Sequence, residues 1–374
     1  MNKGKNRSWR MAALTMAAAA ALCLFFSQKA HAGVVEPSGY IGESSERPHL
    51  DRVNIQTELD KTGKVILEKG KTYYLRSTLH VGGNMTIEAE GATIICKAGA
   101  VRNFDYGGSN KFYGEINGLT IHGGTWKFVN SKGYDKSSFQ FINGSNIRMS
   151  DMDIRCTGYN GHAIELIACK NVTIDNCNIP AQGKPQTNSV EEMIQMDVAS
   201  KATCPTIYQY KPELIRGGTC KNVTISNCTI KGNRGICANK TPEFYNKFHD
   251  NIKILNCKVT GMSTEAVVLY NTRTVTVRNN TLICKSKKTT VNNNYLTGLH
   301  ISVYGGGKLK NITIKNNKIK GYTQAVMIYS DKGTRYKKTT ITGNKLYSNS
   351  KNDTMRLYAV GKASVKKNKN YKLK

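Results

Sequence analysis

The sequence predicts an all-β fold in which short strands coil into a solenoid. Three observations predict it: a nine-residue phrase recurs along the chain, each copy alternates apolar and polar residues, and a second short strand precedes most copies. Helical periodicity is nearly absent, and there is neither a heptad nor a collagen period. Of the 374 residues, 21% are charged and 39% hydrophobic, which excludes a disordered polyelectrolyte.

The first 32 residues have the organisation of a secretory signal peptide. A basic stretch precedes an apolar run from Met11 to Phe26, and Ala30-His31-Ala32 is a small-x-small cleavage site. An uncleaved membrane anchor is the alternative, which the short, Ala-rich core disfavours. We therefore expect residues 1–32 to be a signal peptide cleaved after Ala32, residues 33–50 to be a linker, and the mature protein to be secreted, with no membrane span.

The segment that follows contains Asp51-Arg-Val-Asn-Ile-Gln-Thr-Glu-Leu-Asp60, then Gly63-Lys-Val-Ile-Leu-Glu-Lys-Gly70. It resembles the N-terminal cap and first coil of right-handed parallel β-helix proteins of the pectate-lyase-like superfamily, many of which are secreted bacterial proteins. The resemblance implies a right-handed parallel β-helix over residues 51–374, with a short N-terminal capping helix near Asn54–Lys61. The motifs of polygalacturonases and pectate lyases are missing, so the resemblance implies the fold without naming one activity.

The recurring phrase sets the length of one coil. Its copies start at Gly118, Asn146, Asn171, Asn222, Asn251, Thr274, Asn311 and Lys338. Successive starts are separated by 28, 25, 51, 29, 23, 37 and 27 residues, so the base period carries insertions. Such a coil cannot bury its apolar face alone, and we expect about nine to eleven stacked coils that share one core.

One position of the phrase predicts a ladder inside the solenoid. Its residues are Met152, Cys177, Cys228, Cys257, Asn280, Asn317 and Asn344. Stacked Asn side chains can bond one another, and Cys fills the same column as a small apolar residue. Ten Cys remain after the leader, and two interpretations stay open: a free buried stack, or a disulfide between Cys220 and either Cys169 or Cys204.

Polar residues collect on the outward face of the strands that precede the phrase. Aligning these strands on their apolar residues gives three outward columns, which are acidic in the early coils although the whole chain has only 25 Asp+Glu. The candidate catalytic residues in these columns are Glu165, Glu192, Asp197, His162 and Arg234. A solvated strand face with cross-strand ion pairs is the alternative.

Two insertions emerge from the same edge of these strands and predict the walls of a groove. Residues 201–219 follow the strand of Asp197, and residues 240–250 follow the strand of Asn239. Aromatic faces stack on sugar rings, so tyrosines above an acidic floor indicate a saccharide cleft. The candidate substrate-binding residues are Gln195, Asn239, Glu265, Tyr208, Tyr210, Tyr245, His249, Tyr270 and His300.

Two reactions fit these residues. In hydrolysis, a pair drawn from Glu165, Glu192 and Asp197 supplies the acid and the base or nucleophile, while His162 and Arg234 position substrate or move a proton. In β-elimination from a uronate, carboxylates hold Ca²⁺ and a basic residue abstracts the proton, for which Arg234, His162 and His249 are the candidates. The third possibility is a non-catalytic glycan-binding or wall-associated protein. No metal site is predicted, and no cofactor apart from Ca²⁺ in the case of a lyase.

The charge of the chain predicts the kind of partner. The formal net charge is +30, and residues 306–374 contain 18 Lys+Arg against two Asp. Such a field concentrates polyanions. For an exported chain the expected partner is an acidic polysaccharide or cell-wall polymer and not a nucleic acid, and we expect a monomer.

Overall fold

The protein forms a parallel β-helix, seen here in a computed structural model that describes residues 33–37, 47–105, 112–129, 137–156, 161–181, 191–287 and 296–374. Three long sheets run along the solenoid, and each strand pairs in parallel with the strand one coil away. The predicted all-β solenoid is confirmed. The predicted signal peptide lies outside the described residues.

Sheet A contains the first part of each repeated phrase, and the last residues of the phrase lie in sheet B. Within the described residues it has twelve strands, which span Val34–Val35, Lys64–Leu67, Gly83–Glu88, Ile116–His122, Ser145–Ser150, Lys170–Asp175, Lys221–Ser226, Asp250–Leu255, Val275–Arg278, Asn311–Lys315, Tyr336–Thr342 and Val360–Lys366.

Sheet B follows sheet A in each coil. Its eleven described strands span Thr72–Leu75, Thr93–Cys96, Thr125–Phe128, Asp153–Arg155, Asn178–Pro180, Thr229–Gly232, Lys258–Gly261, Thr281–Cys284, Lys318–Lys320, Lys345–Ser348 and Lys369–Lys372.

Sheet C contains the strands that precede each phrase. Its ten described strands span Leu79–His80, Val101–Arg102, Phe139–Ile142, Ile164–Ile167, Glu192–Asp197, Arg234–Ala238, Val267–Tyr270, Leu299–Val303, Val326–Ser330 and Met355–Leu357. The chain passes from sheet C to A to B in each coil, and the two predicted insertions lie in connections from C to A.

A helix closes the N-terminal end of the solenoid. This helix, α1, spans Arg47–Thr62 and begins seven residues before the predicted Asn54. Its buried Ile55 and Leu59 belong to the main apolar core, which is how it covers the open end of the first coil. The strand Val34–Val35 pairs with Lys64–Leu67, so part of the predicted linker joins sheet A.

The predicted inward ladder is present. The Nδ2 of Asn280 donates to the Oδ1 of Asn317 at 3.0 Å, and the Nδ2 of Asn317 donates to the Oδ1 of Asn344 at 2.9 Å. All three side chains are buried in the solenoid. The ladder satisfies polar groups that would otherwise destabilise the core.

Of the two interpretations left open for the cysteines, the structure shows the free buried cysteines and not a disulfide of Cys220. All ten cysteines of the described residues are free and buried. The thiol of Cys220 instead donates to the carbonyl oxygen of Leu166 at 3.2 Å, and that of Cys169 donates to the carbonyl oxygen of Phe141 at 3.3 Å. The cysteines therefore act as small core residues whose thiols bond the backbone.

Candidate functional site

The polar residues predicted to share a face lie together on the outward side of sheet C. Ile164, Ile194 and Ile236 are successive partners in the parallel register, as predicted, and all are buried in the core. The polar side chains across six neighbouring strands form a series that we call the polar row. Its members are Ser137, Gln140, His162, Glu165, Glu192, Gln195, Asp197, Arg234, Glu265, His300 and Ser302.

Glu165 and Asp197 form one part of the polar row, which we call the carboxyl pair. The Oε2 of Glu165 accepts hydrogen bonds from Ser137 Oγ and Gln140 Nε2. The Oδ2 of Asp197 accepts one from Gln195 Nε2 at 2.6 Å, while its Oδ1 is buried without a hydrogen-bond partner among the described residues. Neither carboxyl group belongs to any ion pair formed within the described part of the chain.

The environment of Asp197 favours its protonated form. The side chain is 1% exposed, and burial together with the charge of Glu165 raises the pKa of Asp197 well above its usual range. A carboxyl group in this state can donate a proton at neutral pH. The carboxyl pair therefore places a carboxyl group whose protonated form is favoured beside a second carboxyl group.

The second part of the polar row is an ion-pair network, which we call the arginine network. The Nη1 of Arg234 donates to Glu192 Oε1 at 2.6 Å, and its Nη2 donates to Glu265 Oε2 at 2.9 Å. Beyond Glu265, the Nδ1 of His300 lies 3.3 Å from Oε1, and its Nε2 lies 2.6 Å from the hydroxyl of Ser302. These contacts neutralise both carboxylates.

The charges of the arginine network stabilise one another. Burial opposes the charged form of Arg234, but Glu265 and Glu192 outweigh it and raise the pKa of Arg234. Burial also opposes ionisation of Glu265, yet Arg234 and His300 lower the pKa of Glu265 to about 2. Arg234 is therefore a cation held by two carboxylates, which does not suit the moving of a proton, and its role in positioning substrate stays a prediction.

His162 lies between the carboxyl pair and the arginine network. Its Nδ1 lies 2.8 Å from the carbonyl oxygen of Glu192 and therefore carries a proton when it bonds to this acceptor. Burial opposes its charged form, but Glu165 and Glu192 outweigh this effect and raise the pKa of His162. His162 can thus carry positive charge next to the carboxyl pair.

The two insertions stand at the edge of sheet C, beside the polar row. The first contains helix α2, Pro205–Tyr210, and the second a single 3₁₀ turn, Pro242–Phe244. They touch each other where the backbone N–H of Lys201 donates to Glu243 Oε2 at 3.2 Å. Cys204, just before α2, has its pKa raised by burial and then by Glu165 and Asp197, so this insertion approaches the carboxyl pair.

Tyrosines are exposed on these insertions and continue along sheet C. Tyr208, Tyr210 and Tyr245 are all exposed, as a sugar-stacking surface requires. Tyr270 lies 5.9 Å from Tyr304 between ring centroids. The contact series then runs on through Tyr329 to Tyr358 at 6.5 and 6.3 Å.

Lys240 lies among these rings. Its Nζ is 4.1 Å from the ring centroid of Tyr304, 5.6 Å from that of Tyr245 and 5.9 Å from that of Tyr270. The contacts hold an ammonium group at the edge of the polar row.

Three predicted substrate-binding residues are buried and engaged in contacts within the protein. His249 is buried with its Nε2 2.7 Å from the carbonyl oxygen of Asn239, and its Nδ1 accepts the backbone N–H of Cys220. Burial lowers the pKa of His249 to about 4, so it is a neutral structural residue. Glu265 and His300 are likewise buried, inside the arginine network. Asn239 is half-buried, and its side chain accepts the backbone N–H of Lys240.

The structure adds Ser137, Gln140, Lys240 and Tyr304 to the predicted set. Gln140 is the direct register partner of Glu165, so extending the predicted column by one coil would have found it. Tyr304 follows its strand, and Lys240 begins an insertion. No alternation pattern identifies residues at those places.

The described residues contain no group of three or more His, Cys, Asp or Glu arranged to hold a metal ion. None of the helices in the same part of the chain combines the length and apolar composition needed to cross a bilayer.

Comparisons with known proteins agree on the fold. The family model of the right handed beta helix region matches residues 243–371. PfbA, a surface protein and adhesin of Streptococcus pneumoniae, is similar at 18% identity and a TM-score of 0.62, over 91% of this chain and 95% of that one. A second PfbA structure gives 16% identity and a TM-score of 0.55, over 86% and 89%.

An enzyme has a similar structure as well. Endo-xylogalacturonan hydrolase from Aspergillus tubingensis aligns at 13% identity and a TM-score of 0.50, over 90% of this chain and 93% of that one. No curated protein matches the chain in sequence. These likenesses confirm the right-handed parallel β-helix and leave the function to be argued from the site.

Proposed function

We propose that the chain binds a polysaccharide across the polar row and hydrolyses it, with Asp197 as general acid and Glu165 as general base or nucleophile. The carboxyl pair is the observation that supports this proposal. Burial and the charge of Glu165 raise the pKa of Asp197 well above its usual range, and Glu165 accepts hydrogen bonds from Ser137 and Gln140. Glycoside hydrolysis needs two neighbouring carboxyl groups, one of which donates a proton, and the carboxyl pair offers both.

The tyrosines support a sugar as the substrate. Tyr208 and Tyr245 stand exposed on the insertions beside the polar row, and the series from Tyr270 to Tyr358 extends past it over several coils. Flat aromatic faces along the solenoid axis suit a chain of pyranose rings. We expect this activity outside the cell, because residues 1–32 have the features of a signal peptide.

Hydrolysis is favoured over β-elimination because two of the three candidate bases are engaged. The guanidinium of Arg234 is bound by Glu192 and Glu265, and both ring nitrogens of His249 bond to backbone groups. An elimination would depend on His162 alone, and its Nδ1 contacts the carbonyl oxygen of Glu192.

A non-catalytic glycan-binding protein is the second candidate, and the arginine network favours it. Glu192 and Glu265 are buried and neutralised by Arg234, which is typical of a structural ion-pair network. The fold is compatible with either function, since an adhesin and a hydrolase both resemble this chain.

The test is a product assay on a panel of neutral and acidic polysaccharides. We expect new reducing ends without the ultraviolet absorbance of an unsaturated uronate. D197N and E165Q should each lower turnover by about 10²-fold or more. The matched control is E90Q, which neutralises a carboxylate exposed to solvent and should leave turnover unchanged.

Each alternative outcome has a distinct signature. An unsaturated product would replace hydrolysis with elimination. Binding without any cleavage would favour the glycan-binding protein. Full activity of a correctly folded D197N variant would remove Asp197 from the mechanism.

A further inference from the structure

A basic groove lies along sheet A, on the other side of the two insertions from the polar row. It consists of two adjoining clefts of about 580 and 1070 Å³ that meet at Arg273, which lines both. The smaller cleft reaches Gly217 of the first insertion and Phe248 of the second. The same insertions therefore separate the polar row on sheet C from a basic surface on sheet A.

Basic side chains dominate the lining of both clefts. Those of the smaller cleft are Lys170, Arg216, Lys221, Lys247 and Arg273, with Glu115 as its acidic residue. Besides Arg273, those of the larger cleft are Lys308, Lys310, Lys337, Lys338 and Lys362, and no described acidic residue lines it.

The lysines of the groove are stacked in register. Lys170 is the direct partner of Lys221, and Lys338 is the direct partner of Lys362. Neighbouring strands are about 4.8 Å apart, and like charges directly opposite each other destabilise a sheet. An anion bound between them relieves this repulsion.

The acidic residue that interrupts this row is already neutralised. Asp250 is the register partner of Lys221, and its Oδ2 accepts a hydrogen bond from Lys310 Nζ at 2.6 Å. Its Oδ1 accepts another from Thr274 at 2.6 Å. Burial raises the pKa of Asp250, but these bonds and the charge of Lys310 lower it overall. Asp250 and Lys310 thus balance each other, and the remaining Lys and Arg side chains give the groove a net positive charge.

Arg273 marks the junction of the two clefts. Its guanidinium lies 5.2 Å from the ring centroid of Phe248, which fixes the plane of the group. Its Nε is buried without a hydrogen-bond partner among the residues that the structure describes. A planar guanidinium held in this way is suited to bidentate binding of a carboxylate.

We propose that the basic groove binds one linear anionic polysaccharide, with a carboxylate on successive sugars, laid along the solenoid axis. The groove extends from strand Lys170–Asp175 to strand Val360–Lys366, which is six strand spacings in sheet A, or about 29 Å. A polymer that carries one charge per sugar matches a surface that offers basic side chains coil after coil. This binding site is independent of any chemistry at the polar row.

The test measures binding of the purified protein to immobilised polygalacturonate by biolayer interferometry. We expect the variant K338Q/K362Q to raise Kd by about 10-fold at low salt. With two fewer positive charges in the groove, binding releases about two fewer counterions from the polysaccharide. K170Q/K221Q should act in the same way at the other end. All four lysines are exposed, so folding should be preserved.

The matched control is K318Q/K345Q, which removes two exposed, register-paired lysines from sheet B, outside both clefts. It should raise Kd by less than about 3-fold, as expected for long-range electrostatics alone. Equal losses in the groove and control variants would overturn the proposal. So would equal binding to a neutral glucan, or tighter binding to single-stranded DNA. The binding assay does not measure cleavage, so its result is separate from that of the proposed hydrolysis.

Discussion

Two neighbouring parts of the polar row differ in how their buried charge is balanced. In the arginine network, Arg234 bonds both Glu192 and Glu265. In the carboxyl pair, Glu165 and Asp197 are equally buried but form no ion pair with any described basic residue, and folding raises the pKa of Asp197. The carboxylates of the arginine network are neutralised by ion pairs with Arg234. In the carboxyl pair, burial instead favours the protonated form of Asp197.

This difference separates a structural role from a chemical one. Buried charges persist in folded proteins when they are paired, and removing one partner costs several kcal/mol. A carboxyl group whose environment opposes ionisation gains no stability from its charge, and such groups are common at catalytic sites. We therefore expect substitutions in the two parts of the polar row to have opposite effects on stability.

The largest effect should follow removal of the cation from the arginine network. R234M leaves Glu192 and Glu265 buried without their partner, and we expect a loss of about 3–5 kcal/mol in the free energy of unfolding. Urea unfolding at neutral pH measures it. The triple variant E192Q/R234M/E265Q should recover much of the loss, since it buries no unpaired charge. A loss no larger than that of E90Q would contradict the comparison.

The next effect concerns Glu265 and depends on pH. Its pKa is lowered to about 2, so its charge stabilises the folded protein above its unfolded pKa, and this stability is lost as pH falls toward 2. E265Q should therefore lose about 3 kcal/mol at pH 7 and progressively less in acid. Unfolding curves between neutral and acidic pH test this, and a pH-independent loss would show that the charge of Glu265 is not the cause.

The substitution D197N should change the free energy of unfolding in the opposite direction to E265Q. Because folding raises the pKa of Asp197, the wild-type protein is most stable with this group protonated and loses stability as pH rises through the folded pKa. Asn carries no charge to desolvate, so we expect D197N to be more stable than wild type at pH 8. The difference should vanish in acid, where wild-type Asp197 is also protonated. A variant less stable than wild type at pH 8 would refute this assignment.

The sequence predicted the fold because the period-two alternation and the coil period are both local signals. It also placed the polar row, since a register set by the core residue Ile164 and its partners fixes which side chains face outward. It could not tell Glu192 from Glu165. Glu192 forms an ion pair with Arg234, whereas Glu165 accepts hydrogen bonds from Ser137 and Gln140, and these partners depend on side-chain contacts between coils. For the same reason His249 was predicted to bind substrate, although its burial depends on how the second insertion folds.

The smallest expected effect is a change in the pKa of His162, which depends on both parts of the polar row. Glu165 and Glu192 together raise the pKa of His162 against its burial, and Glu165 contributes more. E165Q should therefore lower the pKa of His162, and E192Q should lower it less. Following the His162 ring signal by NMR as pH changes gives both values. If E192Q lowers the pKa of His162 more than E165Q does, His162 is coupled to the arginine network and belongs to the structural part of the polar row. If E165Q has the larger effect, as we expect, His162 belongs with the carboxyl pair, where it can hold charge beside the substrate.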